Sequence, residues 1–558
     1  MRAVKVFSLI FLVCAGLFLY PDGAGPASLI KIPKGAGLPG PFLSRLPVVV
    51  RQELETCLLA LADGKSMALL RRNGVRFTIL ERNANKKEFV LVPIAAPGTL
   101  DSLRSRGKAV AVEPGTAVFW TESGRAAEAV PAGLPRKVLS SRPVRVDFKP
   151  IAAAGAPELR AAAADPLVEA IVALVSSSNL SSDVQSLQDF QTRYASTTNC
   201  EAAGEYLYGA FSALGLDVRF ETFAFSDYTS RNVIAEKTGE TFPDDVVVIC
   251  AHYDSTSPSR ETLAPGADDN ASGVAAVLEA ARVLAAYTFD FTVRFAAFSA
   301  EEWGLFGSRY HADHQAGKRI VGVINLDMIG YADAMPEDVQ IIVNSRSGWL
   351  ADRFLAAASD YGSLNATKTV DASFVYSDHS PFWDNGYSAL VATEDDPLTN
   401  PYYHQVSDTL GTLNPDFFTS GTRASVGLLA ELAQPIKEGH PQTPVELFGL
   451  WDIYRSLFNT LSVVHVSWIG QADAAGYNVY RTSTPHFGYV KINDTPVTGT
   501  HFRDEDVSAG GTYYYVITAV GPTGLESNRS REMVPADLSV WESPSVRSLG
   551  SQAFKGIR

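Results

Sequence analysis

This chain of 558 residues has few cysteines and no run of basic residues, and both features limit the functions that it can have. Its four cysteines are too few for a disulfide framework in a protein of this length. Cys14 lies in an N-terminal apolar run, so at most one pair is expected among Cys57, Cys200 and Cys250. No lysine- or arginine-rich run occurs and the formal net charge is -14, which argues against nucleic acid as a partner and against attraction to anionic membranes.

Apolar runs long enough to cross a membrane are also lacking. The one extended run, from Val6 to Tyr20, follows Arg2 and Lys5 and has the length of a secretory signal. We therefore expect a signal peptide over residues 1–27 and a secreted, periplasmic or otherwise extracytoplasmic protein. An uncleaved N-terminal anchor is the alternative.

Histidine is absent from residues 28–160, where strand-like segments alternate with turns. Without histidines or clustered acids, this α+β block indicates a removable pro-segment or an accessory domain, not a catalytic one. Residues 165–437 alternate helix-like and strand-like segments and form the predicted central domain. Residues 443–537 have the length and alternation of an immunoglobulin-like β-sandwich, and residues 538–558 form a tail.

The fold class predicted for the central domain is α/β, with a mixed, largely parallel sheet covered by helices on both faces. The run VVVICA, from Val246 to Ala251, is wholly apolar, as expected of a central strand that is covered on both faces. ASGVAAVLEAARVLAAY, from Ala271 to Tyr287, has helical periodicity. In such sheets, functional residues collect at the carboxyl ends of the strands.

Acids and imidazoles occur where several of these apolar runs end. Five of them form a candidate ligand set for two hard divalent cations, and Glu301 is a candidate general base beside them. No cysteine belongs to the set, which favours a catalytic over a structural site. The candidate ligands are His252, Asp268, Glu302, Asp327 and His404.

Each candidate also has a plainer interpretation. Asp268 and Asp269 lie in a turn before a helix, where acids often serve as N-caps, but two adjacent acids in an apolar stretch favour Asp268 as a ligand that bridges two cations. Glu301 and Glu302 follow ten mostly apolar residues, so a cation between them would relieve their repulsion. The alternative is that both lie on the first exposed turn of a helix.

The remaining candidates are weaker when judged alone. His252 and Asp254 share one side of an extended segment, so the Asp254 carboxylate is expected to accept the second ring N–H of His252. The alternative is a surface histidine beside an acid. Asp327 is flanked by apolar residues and needs a partner, either a cation or a nearby turn. His404 lies in a loop, with Asp408 as its expected support, and the alternative is an exposed histidine.

The motifs HYDS, GADDNASG, AEEWGLFGS, NLDMIG and YYHQVSDT resemble the signature blocks of the co-catalytic di-zinc aminopeptidase family. That family includes secreted bacterial leucine aminopeptidases and, more distantly, glutamate carboxypeptidases and glutaminyl cyclases. The resemblance extends from about Pro166 to Gln434 and implies two zinc ions per site. It implies that Asp268 bridges the two ions, that His252 and Asp327 complete the ligands of one, and that Glu302 and His404 complete those of the other.

The same resemblance implies that Glu301 is the general base and that Asp254 is the acid behind His252. The family's substrate-side loop is similar to Ser373 to Trp383, whose His379 is not a ligand in the family pattern. The C-terminal sandwich resembles a fibronectin type III module with Trp468, Tyr480 and Tyr514 as core aromatics.

The predicted function is that of a zinc-dependent aminopeptidase acting on peptides with a free N-terminus. A carboxypeptidase or dipeptidase on the same scaffold would need a cation for the terminal carboxylate, for which Arg309 and Arg346 are candidates. A glutaminyl cyclase would use one zinc, and a non-catalytic binding protein would be expected to have lost ligands. Contact with a surface or polysaccharide, spacing and stabilisation are three roles compatible with the sandwich.

Overall fold

The computed structural model describes residues 27–34, 48–94, 96–122, 125–131, 133–144, 146, 164–334, 336–395, 397–455 and 460–537. Except for Ala27, the predicted signal peptide lies outside these residues, as do the predicted tail and residues 147–163. The chain divides into two compact units. One comprises Met1–Ala126 and Leu139–Phe148, and the other comprises Ala127–Val138 and Lys149–Arg558.

The first unit contains two antiparallel sheets, as the alternation of strand-like segments with turns predicts. One sheet has the order β2-β3-β1-β4, and β7 lies between β5 and β6 in the other. Ile30, Leu58 and Leu70 lie in the apolar core of the first sheet. The elements are β1 (Ser28–Pro33), β2 (Val49–Glu53), β3 (Cys57–Ala62), α1 (Gly64–Arg72), β4 (Thr78–Glu81), β5 (Phe89–Pro93), α2 (Thr99–Arg104), β6 (Lys108–Glu113) and β7 (Thr116–Trp120).

The second unit is built around an eight-stranded mixed sheet of order β15-β14-β16-β13-β11-β12-β10-β9. Its centre is parallel, because β11 pairs in parallel with β12 and β13, and β13 with β16. The pairs β10–β12 and β14–β16 are antiparallel. The strands are β9 (Asp217–Phe225), β10 (Tyr228–Lys237), β11 (Phe242–His252), β12 (Phe291–Phe298), β13 (Arg319–Leu326), β14 (Asp338–Val343), β15 (Asn365–Val370) and β16 (Ala389–Glu394), and the short strand β8 (Lys137–Val138) belongs to the same unit.

Helices pack against this sheet and bury their apolar faces. Asp165 caps the helix Pro166–Val172 by accepting from Leu167 N, and nearly every residue of Gly273–Leu284 is buried. The predicted α/β class, a mixed sheet covered by helices, is confirmed. The helices are α4 (Pro166–Val172), α5 (Ser177–Gln188), α6 (Thr198–Ala213), α7 (Gly273–Leu284), α8 (Phe306–Asp313), α9 (Gly348–Ala357), α10 (Ser380–Asp384) and α11 (Pro415–Ala433), and the short helix α3 (Ala126–Ala129) lies where the chain passes from the first unit to the second.

Within the described ranges, no single helix is long and apolar enough to cross a membrane. Helices α4 and α5, bent by 48° relative to each other, meet the length and composition requirement only as a pair. Val168, Ile171, Leu180 and Val184 of this pair are buried in the core of the second unit. The three described cysteines are likewise buried, and none of them forms a disulfide.

The C-terminal part of the second unit contains two further sheets, of order β21-β18-β17-β23 and β20-β19-β22. The predicted core aromatics Tyr480 and Tyr514 are only partly buried, and Tyr477 and Tyr515 take the core positions beside Trp468. Strand residues alternate between faces, so one position of register decides which tyrosine is inside. The strands are β17 (Leu447–Arg455), β18 (Thr460–Trp468), β19 (Gly476–Thr482), β20 (Val490–Lys491), β21 (His501–Asp504), β22 (Tyr514–Val520) and β23 (Ala536–Asp537).

Polar contacts join these C-terminal sheets to the eight-stranded sheet. Arg531 makes a two-pronged ion pair with the buried Asp245, through Nε at 2.7 Å and Nη2 at 2.8 Å. Thr443 and Asn528 each donate to Asp290 Oδ2 at 2.8 Å. The predicted domain boundaries and the fibronectin type III assignment stay predictions.

Candidate active site

The predicted site residues meet at the carboxyl ends of the central parallel strands. His252 is the last residue of β11, and Asp327 directly follows β13. Glu301 and Glu302 lie in the turn after β12, and His404 lies in the loop between β16 and α11. The expectation that these strand ends converge is therefore confirmed.

A single carboxylate lies between the two imidazoles, and it belongs to Asp269. Its Oδ1 is 3.3 Å from His252 Nε2, and its Oδ2 is 3.0 Å from His404 Nε2. On one side, His252 Nε2 lies 3.5 Å from Asp327 Oδ1. On the other, His404 Nε2 lies 3.1 Å from Glu302 Oε2. Asp269 thus joins two half-sites, one of His252 with Asp327 and one of His404 with Glu302.

The prediction that Asp268 bridges the two half-sites is wrong in this structure. The Asp268 carboxylate accepts from Gly330 N at 2.8 Å and from Asn400 Nδ2 at 3.3 Å. The turn Ala267–Ser272 departs from helical dihedral angles at Asp269, with φ -105° and ψ 88°. Adjacent side chains therefore point in different directions, and the sequence motif does not reveal which of the two acids faces the imidazoles.

Asp254 orders the site differently from the prediction. The second ring nitrogen of His252, Nδ1, donates to the main-chain oxygen of Asp254 at 3.0 Å, and the carboxylate oxygen is 3.8 Å away. The Asp254 carboxylate instead accepts from the backbone N–H groups of Glu301 at 3.1 Å and Glu302 at 3.2 Å. It therefore positions the glutamate pair. Burial raises its pKa to about 7, and the charge of His252 opposes that rise.

Asp408 supports the bridging turn, where the sequence predicted support of His404. Its two oxygens accept from Asp268 N at 2.9 Å and Asp269 N at 3.0 Å. Burial raises the pKa of Asp408 to about 6, although both hydrogen bonds favour the charged form. Nδ1 of His404 is buried and has no hydrogen-bond partner in the described part of the chain.

The carboxylates of the cluster favour positive charge at His252 and His404. Burial disfavours the charged form of His404, yet the Glu302 charge and the Asp269 contact raise its pKa to about 10. The pKa of His252 is likewise raised well above its usual value, since Glu301 and two other carboxylates outweigh burial. The carboxylates around the two imidazoles thus favour positive charge at this position. A bound metal would supply that charge and leave both imidazoles neutral.

Ligand geometry agrees with this requirement. Oxygen and nitrogen atoms of His252, Glu301 and Asp327 lie within 4.8 Å of one another, as do those of His252, Asp269 and Glu302. Oε1 of Glu302 is buried without a hydrogen-bond partner, which leaves it available to a cation. The residues present therefore fit a pair of divalent ions.

Ser377 and His379, in the loop that resembles the family's substrate-side loop, have structural contacts. Ser377 receives a hydrogen bond from Asn325 Nδ2 at 2.7 Å and donates to Asp327 Oδ2, which fixes that carboxylate. His379 Nε2 donates to Phe374 O at 2.9 Å, and burial lowers its pKa to about 3. A neutral histidine bound to the main chain agrees with the expectation that His379 is not a ligand.

Ala127–Val138, which the prediction placed in the N-terminal block, is assigned to the second unit, and Val138 lies against Gly304 in the turn that carries Glu301 and Glu302. Lys137 is fully buried and pairs with Asp384 Oδ2 at 2.8 Å. Arg136 is also buried, and the Glu302 charge counteracts the lowering of its pKa by burial. A Cβ on Gly304 would lie 2.8 Å from Val138 Cγ2, so this glycine permits the close approach.

The fold and this cluster are those of a metallo-exopeptidase, the predicted class, and comparison with known proteins identifies the family. The profile of peptidase family M28 matches residues 232–428. Probable aminopeptidase YDR415C of Saccharomyces cerevisiae is 30% identical over 263 residues, which cover 44% of this chain and 69% of that protein. The chain belongs to peptidase family M28.

Two further similarities concern Bacillus subtilis proteins. Aminopeptidase YwaD is 35% identical over 199 residues, which cover 34% of this chain and 41% of that protein. The chain thus spans less than half the length of this relative. The solved structure of BSAP, described as a zinc aminopeptidase, aligns with a TM-score of 0.43 and 19% identity, and covers 47% of this chain and 96% of its own.

Proposed function

We propose that this protein is an extracytoplasmic, zinc-dependent aminopeptidase that removes residues from the free N-termini of peptides. The observation that carries the proposal is the Asp269 carboxylate between His252 and His404, with Glu301 beside them. The names of the relatives, which are aminopeptidases, support the reaction. The apolar N-terminal run supports export.

The ligand set supports two zinc ions per site. Asp269 would be shared, His252 and Asp327 would hold one ion, and His404 and Glu302 would hold the other. Imidazole nitrogen and carboxylate oxygen suit zinc, and no thiol takes part, as is usual for catalytic zinc sites. When bound, the ions lower the pKa of water and polarise the scissile carbonyl.

Glu301 is the proposed general base. Its backbone N–H is held by Asp254, and its side chain is mostly buried against the half-site of His252 and Asp327. Burial raises the pKa of Glu301 well above its usual value, and the Glu302 charge adds to the rise. A carboxylate of raised basicity takes a proton from the attacking water and returns it to the departing amine.

The alternatives have less support. Arg309, a candidate clamp for a substrate carboxylate, donates from Nη2 to Val138 O and is thus engaged by the main chain. The carboxypeptidase and dipeptidase readings therefore lose one of their two candidate cations. A binding protein without activity would not need to keep Glu301 together with both half-sites.

The test uses the full chain with leucyl-p-nitroanilide as substrate. We expect turnover that a chelator abolishes and zinc restores, and hydrolysis of a free peptide but not of its N-acetylated form. Cleavage of the acetylated peptide from its C-terminus would instead establish a carboxypeptidase. The Glu301→Gln variant is the matched control, because it should keep its zinc and lose turnover.

A further inference from the structure

A second cluster of acids lies outside the proposed zinc site, in a cavity of about 70 Å³. Asp333, Glu337 and Asp395 each place a carboxylate oxygen within 4.8 Å of the others. Glu337 is buried, whereas Asp333 and Asp395 are exposed. Two loops supply these acids, one after β13 and one after β16, so the cluster joins separate segments of the chain.

The cluster alone is an acidic patch, and Glu394 is the independent observation that points to a ligand. Glu394 lines the same cavity and is 2% exposed. Its Oε1 accepts from Asn400 Nδ2 at 2.9 Å. Its Oε2 is buried and has no hydrogen-bond partner in the described residues. An unpaired buried carboxylate oxygen is costly unless a proton or a cation satisfies it.

No positive side chain balances these charges among the residues that the structure describes. Burial and the contact with Asp395 raise the pKa of Glu337 to about 7, and burial with the Asp268 charge raises that of Glu394 to about 11. None of the principal causes of either shift is a basic group. The surroundings of Glu337 and Glu394 thus disfavour their charged forms unless a cation lies close by.

We propose that Asp333, Glu337, Glu394 and Asp395 bind a calcium ion. Every side-chain ligand is a carboxylate oxygen, which suits a hard cation, and the absence of imidazole and thiol from the set separates it from the zinc ligands. Calcium accepts six to eight oxygens in flexible geometry, so water and main-chain carbonyls complete its coordination. Magnesium demands a more regular octahedron than four side chains from two separate segments of the chain readily supply.

The position of the site suggests what the ion does. Asn400 Nδ2 donates both to Glu394 Oε1 and to Asp268 Oδ2, and Asn400 Oδ1 accepts from Tyr402 N at 2.9 Å. The ion therefore anchors the start of the loop that carries His404. This second statement rests on the proposed function, whereas the binding of calcium does not.

The experiment titrates the zinc-saturated full chain with terbium, a luminescent substitute for calcium. Tyr331 lines the cavity and would sensitise the emission. We expect saturable emission that calcium displaces and zinc does not. In the double variant Asp333→Asn with Asp395→Asn, the calcium dissociation constant should rise by more than about tenfold, since charge count sets affinity. Asp338→Asn, a nearby acid outside the cavity, should leave it unchanged.

Absent or non-saturable emission, or an unchanged calcium dissociation constant in the double variant, would overturn the site. A second measurement addresses the anchoring role. Calcium should slow amide hydrogen exchange over residues 397–404 in the Asp338→Asn protein and not in the double variant, and equal exchange in both would refute that role. Neither readout uses turnover, so an inactive protein would reject the proposed aminopeptidase without affecting the calcium result.

Discussion

Replacing Asp269 and Asp268 one at a time separates the bridging acid from its neighbour. Asp269 lies within 3.3 Å of both imidazoles, whereas Asp268 reaches the site only through the backbone and Asn400. We expect Asp269→Asn to bind fewer zinc ions than the unchanged protein and Asp268→Asn to keep both. Asparagine is chosen because it preserves the size of each buried side chain.

These contacts determine how much each variant should change zinc affinity and stability. Mutating groups that only support metal ligands typically lowers metal affinity by about 10- to 100-fold, so Asp268→Asn should fall within that range. Loss of the shared ligand should exceed about 100-fold, because both half-sites lose an anionic oxygen. In Asp268→Asn the Gly330 N–H keeps its acceptor while the contact with Asn400 is lost, so we expect a destabilisation of about 1 kcal/mol.

The assay is zinc content after dialysis against a weak chelator, together with turnover and urea unfolding of the same samples. Competition with a chromophoric chelator would convert zinc content into affinity. If Asp268→Asn empties the site while Asp269→Asn stays fully loaded, the assignment of the bridge made from this structure is refuted. Equal, small effects of both variants would refute a shared ligand altogether.

The remaining predictions concern the general base and two ion pairs that each include a buried carboxylate. Glu301→Gln should lower kcat by about 10²- to 10⁴-fold at unchanged zinc content, and loss of zinc with activity would contradict its role as a base. Lys137→Met should destabilise by about 3–5 kcal/mol in urea unfolding because it leaves Asp384 unpaired, and adding Asp384→Leu should recover most of the loss. Burial lowers the pKa of Lys137 from 10.5 to about 8. Between pH 8 and pH 10.5 the unfolded chain therefore binds more protons at this residue than the folded chain, so the free energy of unfolding should rise with pH. Lys137→Met should remove this rise. Arg531→Ala should lower the free energy of unfolding by about 2 kcal/mol, because the charged two-pronged contact with Asp245 is lost while Arg319 still pairs with that acid. An unchanged calorimetric transition would argue against this contact as a stabiliser.

Much of the architecture was predictable because it depends on local patterns. The apolar run that ends just before His252 indicates a buried central strand, and the structure places every residue from Asp245 to His252 in the buried interior. The ends of parallel strands share one edge of a sheet, so His252, Glu301 and Asp327 were expected to meet before any distance was known. Spacing and residue type were enough to indicate a metal site.

Roles within the site were less predictable, because they depend on backbone direction over one or two residues. Asp268 and Asp269 are adjacent residues of the same type, and only the non-helical dihedral angles at Asp269 determine which carboxylate faces the imidazoles. The main-chain oxygen of Asp254 accepts a hydrogen bond from His252, and a main-chain contact of this kind cannot be predicted from a motif of side chains. The exchange of Tyr514 for Tyr515 in the sandwich core has a similar cause, a single step of strand register.

The sequence by itself determined the class of fold, the family and most of the residues that line the candidate metal site, because hydrophobic periodicity and ligand chemistry are properties of residue type. Tertiary structure alone decided that the Asp269 carboxylate lies between the two imidazoles, that Asp408 holds its turn, and that Lys137 and Val138 pack with the peptidase unit. Those outcomes depend on which groups from distant segments meet, and on the desolvation and charge that each group then experiences. Such contacts form only when the whole chain is folded.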